Sequence, residues 1–385
     1  MSIPGFTSTG SKRPEALFGP GDYDGLPVMM TRASGCRVWD SEGREYCDFL
    51  MALGAVALGY GHPAVNRAAT QAIESGVVGP LAPELESILA SELHHVIPWL
   101  ERVRFLKTGA EAVAAAVRIA RAYTRREVVL GCGYHGWLDW CTLNDPAVPS
   151  GTRSSLGVVA FNDPDDVRRQ VRELDDRLAA IVVEPVIDGP PTLEWLRTLK
   201  EEGRRVGAVL IFDEIKTGCR IALGGAGEAF GVHPDLTVMG KALANGFPLA
   251  LVGGRADVMA AAEKTWISST LATEMPSLAA ARATIEVMMK EQVPRHLNHT
   301  GHRLMEGLVR LGHDHARAVR AVRGIPEMCH LEFRDEATSF AVARGCAHRG
   351  VLFKRSAYNF VSLAHTPADV DRALGVLEET LRALG

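Results

Sequence analysis

The feature that most constrains this fold is a series of short, β-branched apolar runs that alternate with helical segments between residues 127 and 240. The runs follow one another as EVVLG, LGVVAF, AAIVVEP, GAVLIFDE and DLTVMG. Strands that are apolar throughout, instead of at every second residue, are buried on both faces, as in parallel sheets covered by helices. The pattern therefore predicts an α/β fold with a mostly parallel central sheet.

Other segments extend this sheet and surround it. RVRFL, at residues 102–106, predicts a further strand, and residues 83–96 predict a helix. The alanine-rich segment 110–123 has high helix propensity. Upstream, CRVWDSEGREYCDF predicts a β-hairpin that turns at residues 41–43, and downstream MCHLEF, GVLFKR and NFVSL predict strands among helices.

Length and pattern together predict the domain organisation. The 385 residues, of which 47% are hydrophobic, can bury a large core. We expect an N-terminal arm and hairpin over residues 1–50 that joins a small domain. A large α/β domain should span residues 51–290, and a small α+β domain built from the C-terminus should span residues 291–385.

Composition excludes several classes of partner. The net charge of −4 gives no electrostatic basis for nucleic-acid or membrane-surface binding. The seven cysteines are scattered without a CxxC pair, which supports neither a disulfide framework nor a metal site. No apolar stretch reaches the roughly 18–20 residues of a membrane span, and the N-terminus has no apolar signal segment. A cytoplasmic protein with reduced thiols is the expectation.

Charged residues stand at the ends of two of the buried strands. GAVLIFDE ends on Asp213, and DLTVMG is followed at once by Lys241. Because ligands of open α/β sheets bind beyond the carboxyl ends of the strands, both side chains can face one crevice. A lysine there either reaches water as a loop residue, which is the common case, or reacts. Alone, Asp213 could equally cap a helix or form a turn.

A lysine and an acid at this edge are the groups that pyridoxal phosphate needs. The lysine forms a Schiff base with the cofactor, and the acid keeps the pyridine nitrogen protonated. The cofactor's phosphate needs backbone N–H donors at a helix N-terminus, and KTGAEAV at residues 107–113 supplies them. The same segment could also be an ordinary helix start, with Thr108 and Glu111 as a capping box.

A glycine-rich segment offers a competing hypothesis. Gly131, Gly133 and Gly136 form a GxGxxG pattern after a strand, which would suit a dinucleotide-dependent oxidoreductase. However, residues 137–149 contain two prolines and make a poor helix, and the next strand ends without an acid. We therefore keep this as a distant alternative and expect Tyr134, with Trp137 as second choice, to supply an aromatic face for a flat cofactor.

Taken together, these motifs resemble the class III, fold-type I pyridoxal phosphate aminotransferase family, with particular likeness to glutamate-1-semialdehyde 2,1-aminomutase. The likeness runs over most of the chain. It is carried by VRFLKTGAEAVAAAVRIARAYTRR, YHGW, VVEPV, FDEIKTGCRIALGGAGEAFGVHPDLTVMGKALANGFPLALVGG and SLAHT. The DE-x-x-TG segment combined with the downstream GK is the most specific part.

The resemblance implies a role for each matching residue. Lys241 would bind the cofactor covalently and, once freed, move the proton. Asp213 would hold the pyridinium nitrogen, while Ile215 and Tyr134 would cover the two ring faces. Glu184 of the EPV motif would lie near the site, although a structural acid paired with an arginine is an equal alternative.

The phosphate and the dimer follow from the same resemblance. Gly109 and Ala110 would give backbone N–H groups to the phosphate. Thr270 would reach the phosphate of the neighbouring subunit, which implies a homodimer. Ala110 replaces a hydroxyl residue that is usual in the family, so one hydrogen bond worth about 1–2 kcal/mol is missing. His135 is expected to support its neighbours.

Departures from the family pattern concern the substrate. Glu274 stands where many members have a Gly-Asn-Pro segment, and it could face the substrate. Arg355 could bind a donor carboxylate, with a solvated loop residue as the alternative. Trp137 is a third candidate for substrate contact. RSAYNFVSLAHT is shorter than the aminomutase's loop and lacks its glutamate.

These departures favour an intermolecular aminotransferase. In a ping-pong reaction it would move an amino group from an amino acid donor, with glutamate as the expected one, to a carbonyl acceptor in small-molecule biosynthesis. Glutamate-1-semialdehyde 2,1-aminomutase, which transfers the group within one molecule, is the alternative.

Overall fold

The computed structural model describes residues 3–384, so residues 1 and 2 of the predicted arm and residue 385 of the predicted small domain lie outside it. The chain forms two compact units. One comprises the described residues up to Pro63 together with those from Arg295 onward, and the other comprises Ala64–Pro294. The domain boundaries expected after residues 50 and 290 stay predictions.

The strands of the described chain are short, and most lie in the segments that the sequence predicts. In chain order they are β1 Met30–Ser34, β2 Arg37–Asp40, β3 Glu45–Asp48, β4 Arg102–Leu106, β5 Val128–Cys132, β6 Leu156–Val158, β7 Leu178–Val183, β8 Val209–Asp213, β9 Leu236–Met239, β10 Ala250–Gly254, β11 Val319–Ile325, β12 Met328–Phe333, β13 Val351–Leu352 and β14 Asn359–Phe360.

The helices range from single turns to a 22-residue helix. In chain order they are α1 Pro14–Phe18, α2 Met51–Gly54, α3 Pro63–Glu74, α4 Glu84–Val96, α5 Gly109–Thr124, α6 Ser150–Arg153, α7 Pro164–Leu174, α8 Leu193–Val206, α9 Gly225–Ala229, α10 Ala256–Met259, α11 Met275–Lys290, α12 Val293–Asp314, α13 Glu336–His348 and α14 Pro367–Ala383. Among residues 3–384, no helix combines the length and the apolar character needed to cross a bilayer.

The unit Ala64–Pro294 is built on a seven-stranded sheet with the order β4-β10-β9-β8-β7-β5-β6. The pairs from β9 to β6 are parallel, which confirms the prediction of a mostly parallel sheet. β10 is the exception, since it runs antiparallel to both β4 and β9. β10 was not predicted from the sequence, because its run PLALVGG is framed by proline and glycine.

Helices cover both faces of this sheet, as the apolar strands predict. Along β7 and β8, alternate residues enter two separate cores. Val182 and Ile211 pack with the alanine-rich face of α5 on one side. Val183 and Phe212 pack with α7 and α8 on the other side, around the fully buried Trp195. Each fully buried Val, Ile or Phe contributes roughly 1.5–3 kcal/mol, so the carboxyl ends of these strands are firmly held.

The second unit contains two small sheets, β1-β2-β3-β13 and β11-β12-β14. The predicted hairpin is confirmed as the antiparallel pair β2 and β3. β1 and β11 were not predicted, and β13 and β14 have only two residues each. α2 is a left-handed turn, because Met51, Ala52 and Leu53 all have positive φ. Its amide groups are anchored by Asp48, whose carboxylate accepts from Leu50 N (2.7 Å) and Met51 N (3.2 Å).

Candidate active site

The carboxyl ends of β5, β7 and β8 bring charged side chains together at one edge of the large sheet. Asp213, the last residue of β8, is buried, and its Oδ2 lies 2.8 Å from Nδ1 of His135 in the loop after β5. Oδ1 of Asp213 accepts from Ile215 N at 3.2 Å. Two contacts therefore fix the orientation of the carboxylate, and one of them comes from His135, whose supporting role stays a prediction.

Lys241 follows β9 directly and has a strained backbone. Its φ is +47°, a conformation that costs a residue with a side chain about 1–3 kcal/mol. Burial and, next in size, the positive charge of Lys216 lower the pKa of Lys241 to about 8, although Glu184 and Asp213 act in the opposite direction. With this pKa, roughly a tenth of the Lys241 amine is uncharged at pH 7, a far larger fraction than in a solvated loop lysine with a pKa near 10.4.

Glu184, immediately after β7, binds a residue that the sequence analysis did not select. Its two carboxylate oxygens lie 3.1 and 3.2 Å from Nζ of Lys216, so the partner is a lysine and not the arginine considered above. Oε2 also accepts from Tyr134 N at 3.2 Å. Burial raises the pKa of Glu184, and Lys216 opposes that rise. Lys216 occupies a variable position of the DE-x-x-TG motif, so the motif gave no signal for it.

The start of α5 has both features that were proposed for it. Thr108 and Glu111 form a capping box, as an ordinary helix start would. Helical geometry leaves the N–H groups of Gly109 and Ala110, the first two residues of the helix, without acceptors inside the helix. These two donors point out of a helix N-terminus, where an anion is favoured.

Two glycines leave room beside Ile215. A Cβ placed on Gly109 or on Gly240 would lie 3.0 Å from Cδ1 of Ile215. Gly109 at the start of α5 and Gly240 just before Lys241 are therefore both packed against the side chain of Ile215. Any side chain at either glycine would displace Ile215 from this position.

The glycines after β5 serve close packing. Gly133 and Gly136 have φ of +107° and +103°. A Cβ on Gly133 would lie 2.7 Å from Oε2 of Glu184, and one on Gly136 would lie 2.6 Å from Cβ of Ala110. No α-helix follows within residues 137–149, where only the short 3₁₀ turn Asp139–Cys141 forms. The dinucleotide hypothesis is therefore wrong, because the helix that it requires after these glycines does not form.

Tyr134 and Trp137, the aromatic residues of this loop, are both exposed, by 70% and 74%. The ring of Tyr134 is thus available to a flat ligand, whereas its backbone N–H is held by Glu184. Thr270 is also exposed, in the turn before α11. Its role across a subunit interface stays a prediction.

The remaining substrate candidates have structural partners. Glu274 caps α11 through Ser277 N (3.1 Å) and forms an ion pair with Lys107 at 2.6 Å. Arg355 belongs to the other unit, where its guanidinium carbon lies 4.4 Å from the ring centre of Phe340 and its Nε donates to Ala16 O at 3.2 Å. These contacts give both side chains a structural role, and substrate binding by either stays a prediction.

The residues at this edge fit a flat, anionic aldehyde cofactor. The site offers a lysine amine that is partly uncharged, an oriented buried carboxylate and free amide donors at a helix start. Nε2 of the buried His135 has no hydrogen-bond partner among the described residues. An apolar side chain and an exposed tyrosine ring supply the two surfaces that a planar ring needs.

Comparisons with known proteins agree with this chemistry. The model of the family described as aminotransferase class-III matches residues 18–381. A curated relative, the glutamate-1-semialdehyde 2,1-aminomutase of Pyrobaculum islandicum, is 35% identical in an alignment that covers 93% of this chain and 92% of the relative.

Solved structures extend the similarity to the fold. The chain superimposes with a TM-score of 0.89 and 25% identity on the FumI protein of Sphingopyxis sp. MTA144 in its pyridoxal-phosphate-bound form, covering 96% of this chain and 93% of that one. An omega-transaminase from Sphaerobacter thermophilus gives a TM-score of 0.85 at 26% identity and covers 93% of this chain and 91% of its own.

Proposed function

The chain belongs to the class-III aminotransferase family of fold-type I, pyridoxal-phosphate-dependent enzymes, and from this premise we propose that Lys241 carries its amino-transfer chemistry. The observation that carries the proposal is the position of Lys241 after β9, with a pKa lowered to about 8 beside the charged groups at the ends of β7 and β8. An uncharged amine can act both as nucleophile and as base.

Bound pyridoxal phosphate supplies an aldehyde that takes up the amino group and a ring that withdraws electrons from the neighbouring carbon. The chain's own residues would prepare this chemistry. Asp213, oriented by His135, would hold the proton of the ring nitrogen. The N–H groups of Gly109 and Ala110 would bind the phosphate, and Ile215 and Tyr134 would hold the ring between them. Lys241 would then move a proton between the two carbons that flank the amino group.

We propose glutamate-1-semialdehyde as the substrate and 5-aminolevulinate as the product. The curated relatives support this aminomutase reaction better than the intermolecular aminotransferase that the sequence analysis favoured. In this reaction the amino group leaves one carbon and returns to the adjacent carbon of the same molecule. The fold class and the cofactor are the same for both reactions.

Intermolecular transfer remains a second candidate because of one specific segment. Residues 355–366 read RSAYNFVSLAHT, which is short and contains no glutamate. The similarity to an omega-transaminase also suits this candidate. A homodimer, with Thr270 completing the partner's site, is part of both proposals.

A direct assay separates the two reactions. The purified enzyme is supplied with glutamate-1-semialdehyde, and separately with glutamate and a panel of aldehydes and ketones. Efficient formation of 5-aminolevulinate supports the aminomutase. Formation of 2-oxoglutarate that depends on an added acceptor supports intermolecular transfer. The proposal for Lys241 is contradicted if Lys241→Ala retains either activity.

A further inference from the structure

Lys216 is the residue of this site to which neither the motifs nor the fold comparison give a role. Its Nζ lies 3.1 Å from Oε1 and 3.2 Å from Oε2 of Glu184, so the ammonium group bridges the carboxylate. The two side chains are only 15% and 8% exposed. An ion pair this far from water is expensive to form and strongly affects charges near it.

The carboxylate of Glu184 also holds the loop that follows β5. Its Oε2 accepts from Tyr134 N at 3.2 Å, in a space that exists only because residue 133 is glycine. Lys216 thus acts on the backbone of Tyr134 through Glu184. The chain Lys216, Glu184, Tyr134 connects the loops after β8, β7 and β5.

We propose that Lys216 is a positioning residue of the amino-transfer site, which fixes Glu184 in its bridging place and sets the charge balance at the amine of Lys241. This inference rests on the proposed function of Lys241. It assigns to Lys216 no contact with substrate, and it deepens the account of how a lysine after β9 becomes reactive.

The charges that act on the Lys241 amine support this assignment. Glu184 contributes from the loop after β7, and Asp213, Lys216 and Arg220 contribute from the end of β8 and the loop that follows it. His135 contacts Asp213. Burial has the largest effect on the pKa of Lys241, and among the charged groups Lys216 has the largest effect. Because Glu184 raises the pKa that Lys216 lowers, the ion pair changes the pKa of Lys241 less than either residue would alone.

The experiment measures how fast cofactor-free protein attaches pyridoxal phosphate covalently, as a function of pH, from the absorbance of the attached cofactor. Only the uncharged amine of Lys241 reacts, so the rate should rise with pH with a midpoint near 8. Lys216→Met should raise this midpoint by about half to one pH unit, because the unpaired Glu184 then favours the charged amine.

Glu184→Gln should lower the midpoint by a similar amount, because Lys216 is no longer neutralised. The double variant should return close to the wild-type midpoint, and Lys216→Arg should stay close to it. A purely structural role would not move the two single variants in opposite directions. Circular dichroism of each variant checks that the fold is intact.

Lys107→Met is the matched control. Lys107 forms an ion pair of similar burial with Glu274 in the same unit, with side chains 14% and 11% exposed, but the four charges that act most strongly on Lys241 do not include it. It should leave the midpoint unchanged. The proposal is overturned if Lys216→Met and Glu184→Gln leave the midpoint in place or shift it in the same direction.

The same data separate this proposal from the proposed function. If the wild-type protein attaches no cofactor, or if Lys241→Ala attaches it equally well, the role of Lys241 fails. If attachment requires Lys241 but its pH midpoint is the same in Lys216→Met, Glu184→Gln and the wild type, only the role of Lys216 fails.

Discussion

Each of the two units contains a cluster of buried charged side chains. In one cluster the charges are neutralised by partners, and in the other they are not fully neutralised. In the unit with the N- and C-termini, Arg37 bonds Asp369, and its Nη1 lies 2.9 and 3.0 Å from the sulfurs of Cys36 and Cys47. Burial alone would raise the pKa of Asp369, but Arg37 and Thr366 outweigh it and hold that pKa at about 2. Every charge in this cluster is matched by a partner.

The cluster at the sheet edge of Ala64–Pro294 is less well compensated. Burial dominates there, so that it lowers the pKa of Lys241 to about 8 and raises that of Glu214 to about 7. Nε2 of His135 lacks a hydrogen-bond partner among residues 3–384. The first cluster therefore stabilises its fold, whereas the second holds groups away from their preferred charge, as reactive sites do.

The first cluster also contains three side chains of the kinds that bind metal ions. Cys36, Cys47 and His365 bring their ligand atoms within 4.8 Å of one another, a spacing that could suit a metal ion. The guanidinium of Arg37 already contacts both sulfurs. Because a fixed positive charge opposes a cation in the same place, we assign this cluster to folding.

The largest expected effect comes from removing the reactive amine. Lys241→Ala should lower amino transfer by about 10³-fold or more, since it deletes both nucleophile and base. Steady-state rates with saturating cofactor measure this. Lys264→Ala, which changes an exposed lysine, should keep the wild-type rate. Residual activity within tenfold of wild type in Lys241→Ala would show that this cluster is not the catalytic one.

The next largest effect concerns Glu214, which is fully buried and accepts from Thr217 Oγ1, Ala226 N (2.9 Å) and Gly227 N (2.9 Å). Because burial raises its folded pKa to about 7, the unfolded chain ionises first as pH rises. The free energy of unfolding should therefore lose on the order of 2–3 kcal/mol between pH 4.5 and 7.

Glu214→Gln isolates this contribution. The variant cannot ionise, so the difference in unfolding free energy between wild type and variant should change across pH 4.5–7 and level off above it. Urea denaturation at each pH provides the values. Glu263→Gln, which changes an exposed acid, should track the wild type. A pH-independent difference would mean that Glu214 is ionised throughout this range.

The third prediction tests the matched cluster. Arg37→Leu leaves Asp369 and the two sulfurs without their cation and should destabilise the protein by about 2–3 kcal/mol. The control is Arg303→Leu, because Arg303 bonds Asp371 at 2.7 Å with both side chains about half exposed. That surface pair should contribute under about 1 kcal/mol. Equal losses in the two variants would remove the distinction between the clusters.

The fold was largely predictable where burial alone decides it. β7 is apolar at every position, β8 is apolar up to its last residue Asp213, β9 is interrupted only by Thr237, and α5 is rich in alanine, so local composition identifies these elements. β10 was missed because its short run lies between proline and glycine. β13 and β14 are too short for any periodicity, and nothing in Met51, Ala52 or Leu53 indicates a left-handed turn, which tertiary packing and Asp48 impose.

The site was predictable in part for a related reason. Asp213 and Lys241 stand at strand ends, and the topology of a parallel sheet brings strand ends to one edge. The pairing of Glu184 with Lys216, and of His135 with Asp213, joins loops that are 32 and 78 residues apart. Such contacts depend on how loops pack against one another, which no local pattern specifies.

The smallest expected effect concerns Asp369. It separates the two clusters by whether the free energy of unfolding rises or falls as pH increases. Asp369 has a folded pKa of about 2, below the value near 3.9 of an unfolded chain. Its contribution to stability is therefore present above pH 4 and lost as pH falls from 4 to 2. After allowance for screening by solvent, this amounts to about 1 kcal/mol, which Asp369→Asn should remove. Glu214 has the opposite slope at higher pH. If Asp369→Asn and Glu214→Gln change stability over the same pH range and with the same sign, the two clusters do not differ as argued.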